Sequence, residues 1–307
     1  GKSIFYENIL DLIGNTPIIK LNQIFDDENI ADIYVKLESF NLGGSIKDRA
    51  ALSIIEQAEK DGSLKPGGTI IEPTSGNMGI SLAIIGKIKG YKIIIVMPDT
   101  MSIERRNILK ALGAELILTD GAESMKGAIE KAETLASRHR NYFMPQQFEN
   151  LANTEAHYRT TGQEILNDIP DLDVFITGVG SGGTISGIGR KLKENIPNIK
   201  IIAVEPESST VIAGGKPGKH QIQGIGAGFI PKNLDLKVID ETVNISDAKS
   251  FEMGKLVAKK NGLLLGVSSG ANIAAAYEIA KKLGKGKKVL TISSDSGEKY
   301  LSTDLFK

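Results

Sequence analysis

Lys47 lies in the run Ser39-Phe40-Asn41-Leu42-Gly43-Gly44-Ser45-Ile46-Lys47-Asp48-Arg49, a glycine-containing turn that opens the helical pattern Ala50-Ala51-Leu52-Ser53-Ile54-Ile55. A lysine amine is protonated in water and becomes a nucleophile only where a site desolvates it or joins it to an aldehyde. Alone, Lys47-Asp48-Arg49 also reads as the charged first turn of a surface helix, the commoner use of such residues. Three further turns change its weight.

Gly178-Val179-Gly180-Ser181-Gly182-Gly183-Thr184-Ile185-Ser186-Gly187 follows the strand-like Val174-Phe175-Ile176-Thr177 and enters a helix. Glycines let backbone amides converge on an anion, the helix start adds positive potential, and the Ser181 and Thr184 hydroxyls can donate. The segment reads as a phosphate cup. No Gly-Lys-Ser/Thr follows, which excludes a Walker loop, and no acidic residue at the usual distance argues for a dinucleotide. Pro73-Thr74-Ser75-Gly76-Asn77-Met78-Gly79 likewise follows Thr69-Ile70-Ile71-Glu72 and opens a helix, giving hydroxyls and amides that could hold a small carboxylate. Leu265-Gly266-Val267-Ser268-Ser269-Gly270-Ala271 reads as a third strand-to-helix turn. Helix N-capping explains serine and threonine at any one such place. A lysine, a phosphate cup, a carboxylate loop and a spare hydroxyl together describe a site for a phosphorylated aldehyde cofactor and an amino acid.

The elements that must carry these turns are short β-branched runs alternating with helical patterns. Besides the strands above they include 34–37, 92–97, 115–118, 200–204 and 288–292, with apolar residues at helical spacing over 77–91 and 102–113. Runs apolar on both faces belong to mostly parallel sheets flanked by helices, so the fold class is α/β. The pattern breaks over 141–153, before a new helix near Thr154. Two closely packed domains are expected, with the ligand in the cleft between them.

The chain of 307 residues carries no formal net charge, no cysteine and three histidines far apart, His139, His157 and His220. No basic excess attracts nucleic acid or an anionic membrane, disulfides and thiolate metal sites are impossible, and no histidine spacing suggests zinc. His139 and His157 are expected on solvated helical faces. The first residues lack a signal-peptide core, and no apolar run reaches the roughly 18 residues of a membrane span, so a cytoplasmic location is expected.

The sequence resembles the cysteine synthase (O-acetylserine sulfhydrylase) family of fold-type II pyridoxal 5'-phosphate enzymes nearly end to end. The motifs include Ile13-Gly14-Asn15-Thr16-Pro17, Ser45-Ile46-Lys47-Asp48-Arg49, Thr74-Ser75-Gly76-Asn77 and Gln147-Phe148-Glu149-Asn150. The glycine cup, Gly224-Ile225-Gly226-Ala227-Gly228-Phe229-Ile230-Pro231 and Gly297-Glu298-Lys299-Tyr300-Leu301-Ser302-Thr303 continue it.

The resemblance implies a smaller, mobile N-terminal domain over 41–150 and a larger one of 1–40 plus 151–307. It implies that Lys47 is catalytic and carries the cofactor as a Schiff base, that Asn77 meets the cofactor ring oxygen, and that Ser268 faces the ring nitrogen. Gly180, Ser181, Gly182, Gly183 and Thr184 would hold the phosphate. Thr74, Ser75 and Gln147 would hold the substrate carboxylate, with Met78, Gly226 and Ala227 on the substrate side. The implied reaction is ping-pong β-replacement on a small amino acid, making cysteine and acetate from O-acetylserine and sulfide. A cysteine-consuming reaction that releases hydrogen sulfide, and a silent regulatory protein, are the alternatives. A homodimer and binding of the C-terminal tail of serine acetyltransferase are implied partners.

Four departures stand out. Leu42 replaces a proline, Ser181 a threonine, Met78 the threonine after the asparagine, and Ser293-Ser294-Asp295-Ser296 a Leu-Pro-Ser-Phe stretch. Ala227-Gly228 matches the cysteine synthases, where similar cystathionine synthases carry Tyr-Asp, and favours a small second substrate.

Overall fold

The computed structural model of the chain describes residues 4–74 and 76–307, so Ser75, expected at the substrate carboxylate, lies outside the described residues. Strands β1 (Ile18–Lys20) and β2 (Asp32–Leu37) lead to helix α1 (Lys47–Asp61). Then β3 (Thr69–Pro73), α2 (Asn77–Lys89), β4 (Lys92–Pro98), α3 (Ile103–Ala111), β5 (Glu115–Thr119), α4 (Ser124–Ser137) and β6 (Tyr142–Phe143) alternate. Helix α5 (Leu151–Ala156) passes through a π-helical turn at His157–Thr161 into α6 (Gly162–Asp168). The chain continues through β7 (Val174–Gly178), α7 (Gly183–Asn195), β8 (Lys200–Pro206), β9 (Glu241–Ile245), α8 (Asp247–Asn261), α9 (Val267–Leu283) and β10 (Lys288–Ser293).

Among the described residues these strands form two sheets. The larger has the order β1-β2-β10-β7-β8-β9, and the smaller β5-β4-β3-β6. Only the β1–β2 pairing is antiparallel. Both faces of each sheet are apolar, as parallel strands covered by helices require. In the larger, Ile176, Ile202 and Val204 enter one core while Phe175, Ile201 and Ala203 enter another. In the smaller, Ile70, Ile93 and Ile95 face one way and Ile71, Ile94 and Val96 the other. The expected strands are present with end residues added, except the one expected to lead into 265–267. No described helix is long and apolar enough to cross a membrane.

Three expectations change. The helix foreseen near Thr154 begins at Leu151, because the Asn150 side chain caps it by accepting from the Ala152 amide at 2.9 Å. The segment 265–267 does not leave a strand: Leu265 makes a single bridge to Ser296 between α8 and α9. His157 is not solvated but buried in the π turn, because that turn packs against α7 where Gly187 leaves no room for a side chain. Its Nδ1 lies 2.9 Å from Thr161 Oγ1, and desolvation followed by the Arg49 and Lys47 charges holds its pKa well below the usual value. It is a neutral imidazole.

Candidate active site

The turn before Lys47 is folded by Asp48, whose carboxylate accepts from the Gly43 amide at 2.5 Å and the Ser81 hydroxyl at 2.6 Å. The surface-helix reading of Lys47-Asp48-Arg49 is excluded by burial, since Asp48 is 1% and Arg49 4% exposed. Arg49 joins Glu38 at 2.6 Å and Glu164 at 2.7 Å, while Lys36 reaches Glu164 at 2.9 Å and the Thr16 carbonyl at 3.0 Å. Two buried cations thus face two carboxylates. This network gives Thr16 of the first family motif a physical role.

Lys47 Nζ lies 3.5 Å from Ser181 Oγ. Burial lowers its pKa to about 8, against the raising effect of Glu72. Glu72 is fully buried in β3, and desolvation lifts its own pKa to about 8 although its oxygens accept from the Gln146 and Gln147 amides, each at 2.9 Å. An acidic residue inside an otherwise apolar strand was the available sequence signal for Glu72.

The cleft above Lys47 is also lined by Asn77, Gly180, Ser181, Gly182, Thr184 and Ser268, so the structure brings together seven of the residues singled out in the sequence. Gly183 begins α7 immediately beside the cup. No side chain caps α7, α2 or α9, whose N-cap positions are Gly182, Gly76 and Gly266, so the hydroxyls of Thr184 and Ser268 are not spent on capping. Gly182 has φ +88°, and a Cβ there would lie 2.7 Å from the Leu234 amide nitrogen. A Cβ on Gly180 would lie 2.4 Å from the Gly224 carbonyl oxygen.

The remaining predicted residues that the structure describes are not among those lining the cleft. Thr74 is buried, with Oγ1 accepting from the Gly76 amide at 3.2 Å. Gln147 is buried, and its carbonyl accepts from Asn153 and Asn233, both at 2.8 Å. Met78 turns into the apolar core of the smaller sheet. Gly226 and Ala227 sit in the loop stapled by His220, whose Nε2 donates to the Gly226 carbonyl at 2.8 Å while Nδ1 accepts from Ile222.

Asn272, Gln223 and Tyr300 also line the cleft and were given no site role in the sequence reading. Asn272 accepts from the Gly178 amide at 2.8 Å and donates to the Ile292 carbonyl at 2.8 Å, aligning the ends of β7 and β10. Asparagine in a helix as buried as α9 was its only sequence signal.

The cup suits a phosphate. Among the described residues the amides of Gly180, Ser181 and Gly182 donate to no protein acceptor. Ser181 Oγ accepts from Asn153 Nδ2 at 2.8 Å, which leaves its hydrogen free for an anion. A desolvated amine beside such a cup fits a phosphorylated aldehyde.

These features define an enzyme site for a phosphorylated aldehyde cofactor. The chain matches the family described as pyridoxal-phosphate dependent enzyme over residues 9–295, and it belongs to that family. It is 55% identical over 302 residues to a cysteine synthase of Staphylococcus aureus (strain Mu50 / ATCC 700699), covering 98% of this chain and 97% of the relative. A hydrogen sulfide-producing enzyme from Fusobacterium nucleatum superposes with a TM-score of 0.93 at 48% identity, covering 97% of this chain and all of that one. A cysteine synthase from Entamoeba histolytica gives 0.94 at 45%, covering 100% and 92%.

Proposed function

We propose that this chain is a cysteine synthase that replaces the acetoxy group of O-acetylserine with sulfide, releasing acetate. The observation that carries the reading is the desolvated Lys47 amine 3.5 Å from Ser181 of the phosphate cup, with Asn77 and Ser268 lining the same cleft. The 55% identity to a cysteine synthase supports the substrate.

Bound through Lys47, pyridoxal 5'-phosphate supplies the electron sink that weakens the Cα–H and Cβ–O bonds of an amino acid. Gly180, Ser181, Gly182, Gly183 and Thr184 hold its phosphate, Asn77 donates to its ring oxygen, and Ser268 offers the ring nitrogen a hydroxyl. Thr74, Ser75 and Gln147 hold the substrate carboxylate, while Met78 supports that loop from the core side and Gly226 and Ala227 leave room for a small nucleophile. With the cofactor bound, the free Lys47 amine would accept the Cα proton and later return it. A pKa near 8 suits both roles near neutral pH.

Residues 41–150 form the smaller, mobile domain that closes over the substrate and excludes water, while 1–40 and 151–307 form the larger one. The confinement of the all-parallel smaller sheet to residues 69–143 supports this division. The chain works in the cytoplasm as a homodimer. Exposed Ile4, Ile9 and Leu12, at 96%, 50% and 40%, supply an apolar edge suited to a second copy. The C-terminal tail of serine acetyltransferase docks in the cleft.

Likeness to the hydrogen sulfide-producing enzyme favours one second reading, consumption of cysteine with sulfide release. Product analysis with O-acetylserine plus sulfide against cysteine alone separates the two, the first pair giving cysteine and acetate. Sulfide from cysteine with no turnover of O-acetylserine would reverse the order. Lys47→Ala should remove both the absorption of the bound cofactor and turnover, and undiminished turnover would refute the role of Lys47.

A further inference from the structure

We infer that Asp295, one of the residues by which this chain departs from the usual family sequence, is a positioning residue that sets the orientation of Asn77 toward the cofactor. The inference rests on the reading of Asn77 given above.

Asp295 lies just beyond β10, and its side chain is 1% exposed. Its Oδ2 accepts from Asn77 Nδ2 at 2.8 Å and from the Tyr300 hydroxyl at 2.6 Å, and lies 3.5 Å from Arg105 Nη2. Arg105 in turn donates to Tyr300 and, at 2.5 Å, to Gln223 Oε1 on the far wall of the cleft. Lys299 Nζ stands 3.5 Å from Asn77 Oδ1 and 3.4 Å from the Gly44 carbonyl.

The Asn77 amide therefore has a carboxylate against its nitrogen and an ammonium toward its oxygen. Turning the amide over would set oxygen against carboxylate and NH2 against ammonium, two repulsive contacts in a buried place. One orientation is selected. It commits one Nδ2 hydrogen to Asp295 and leaves the other for the cleft.

The backbone around the carboxylate reaches the other working groups. The Ser294 carbonyl accepts from the Ile46 amide at 2.9 Å, directly before Lys47. The Asp295 carbonyl accepts from the Gly266 amide at 3.2 Å, at the start of the helix bearing Ser268. One dipeptide thus touches the supports of Lys47, Ser268 and Asn77. A serine at 295 would have no second oxygen and no charge to oppose Lys299 and Arg105.

The test uses the cofactor-loaded protein and reads the ratio of its visible to its near-ultraviolet absorption band, which responds to the hydrogen bond at the ring oxygen. Asp295→Ser should shift that ratio toward the near-ultraviolet and lower kcat roughly tenfold, the size of one charge-assisted hydrogen bond, with KM for the amino acid little changed. Asn77→Ala should shift the bands in the same direction, and adding Asp295→Ser to Asn77→Ala should shift them no further. Bands unmoved by Asn77→Ala would refute the placement of Asn77 itself. Bands moved by Asn77→Ala but not by Asp295→Ser, or additive shifts in the double variant, would overturn the role of Asp295. Should Asp295→Ser not fold, Asp295→Asn keeps the shape and removes the charge. Its expected shift is smaller in the same direction, and an unchanged spectrum refutes the inference.

Discussion

Lys47 is held in the half-protonated range by burial rather than by a neighbouring cation, with Glu72 pulling the other way. In cofactor-free protein, the rate at which Lys47 reacts with pyridoxal 5'-phosphate should rise with pH and level off above about 8, well short of the ordinary 10.5. The sign follows from desolvation, which disfavours the ammonium, so the folded chain binds fewer protons than the unfolded one between those values. The same linkage makes the contribution of Lys47 to stability increase with pH across that window. A stopped-flow pH series measures the rate, and a rise continuing to 10.5 would contradict a desolvated amine. The sequence made Lys47 legible because a glycine turn and a helix start are local features. It did not reveal Glu72 as electrostatic partner, or the contact of Asp295 with Asn77, which spans 218 positions. It placed His157 in solvent because helical spacing does not report which turn meets a neighbouring helix.

At the scale of elements, the cup between β7 and α7 works because two backbones approach more closely than a side chain allows. Gly180→Ala sets a methyl 2.4 Å from the Gly224 carbonyl, so the loop carrying Gly224 must retreat. A loss of about 1–3 kcal/mol in stability and roughly tenfold weaker cofactor binding are expected, read by thermal unfolding and absorbance titration. Binding unchanged from the native protein would mean the cup does not need that approach. Strands were legible as uninterrupted apolar runs, since a sheet covered on both faces leaves no polar alternation to confuse the reading. The stretch 265–267 was less so, because Leu265 bridges Ser296 singly and a one-residue pairing carries no periodicity.

For the whole molecule, the Lys36, Glu38, Arg49 and Glu164 network fastens α1 to β2 and α6. Burial acts to raise the Glu164 pKa, but Arg49 and Lys36 outweigh it and hold the carboxyl near 2. Its contribution is complete above the ordinary 4.5 and fades as pH falls toward 2. Arg49→Met should cost about 3–5 kcal/mol, because it leaves the buried Glu38 carboxylate with only the neutral donors Thr16 and Asn41 and leaves Glu164 with Lys36 alone. Urea unfolding at neutral pH checks it, and a loss below about 1 kcal/mol would show that water reaches the vacated place.

The order of the larger sheet has a consequence in time. β10, the strand latest in the chain, lies between β2, which leads to Lys47, and β7, which leads to the cup. Until residues 288–293 have left the ribosome, the lysine and the phosphate cup have no common wall to hold them at their distance. A nascent chain can assemble the smaller sheet early, but it cannot capture the cofactor before that late strand slides into the middle of the larger one.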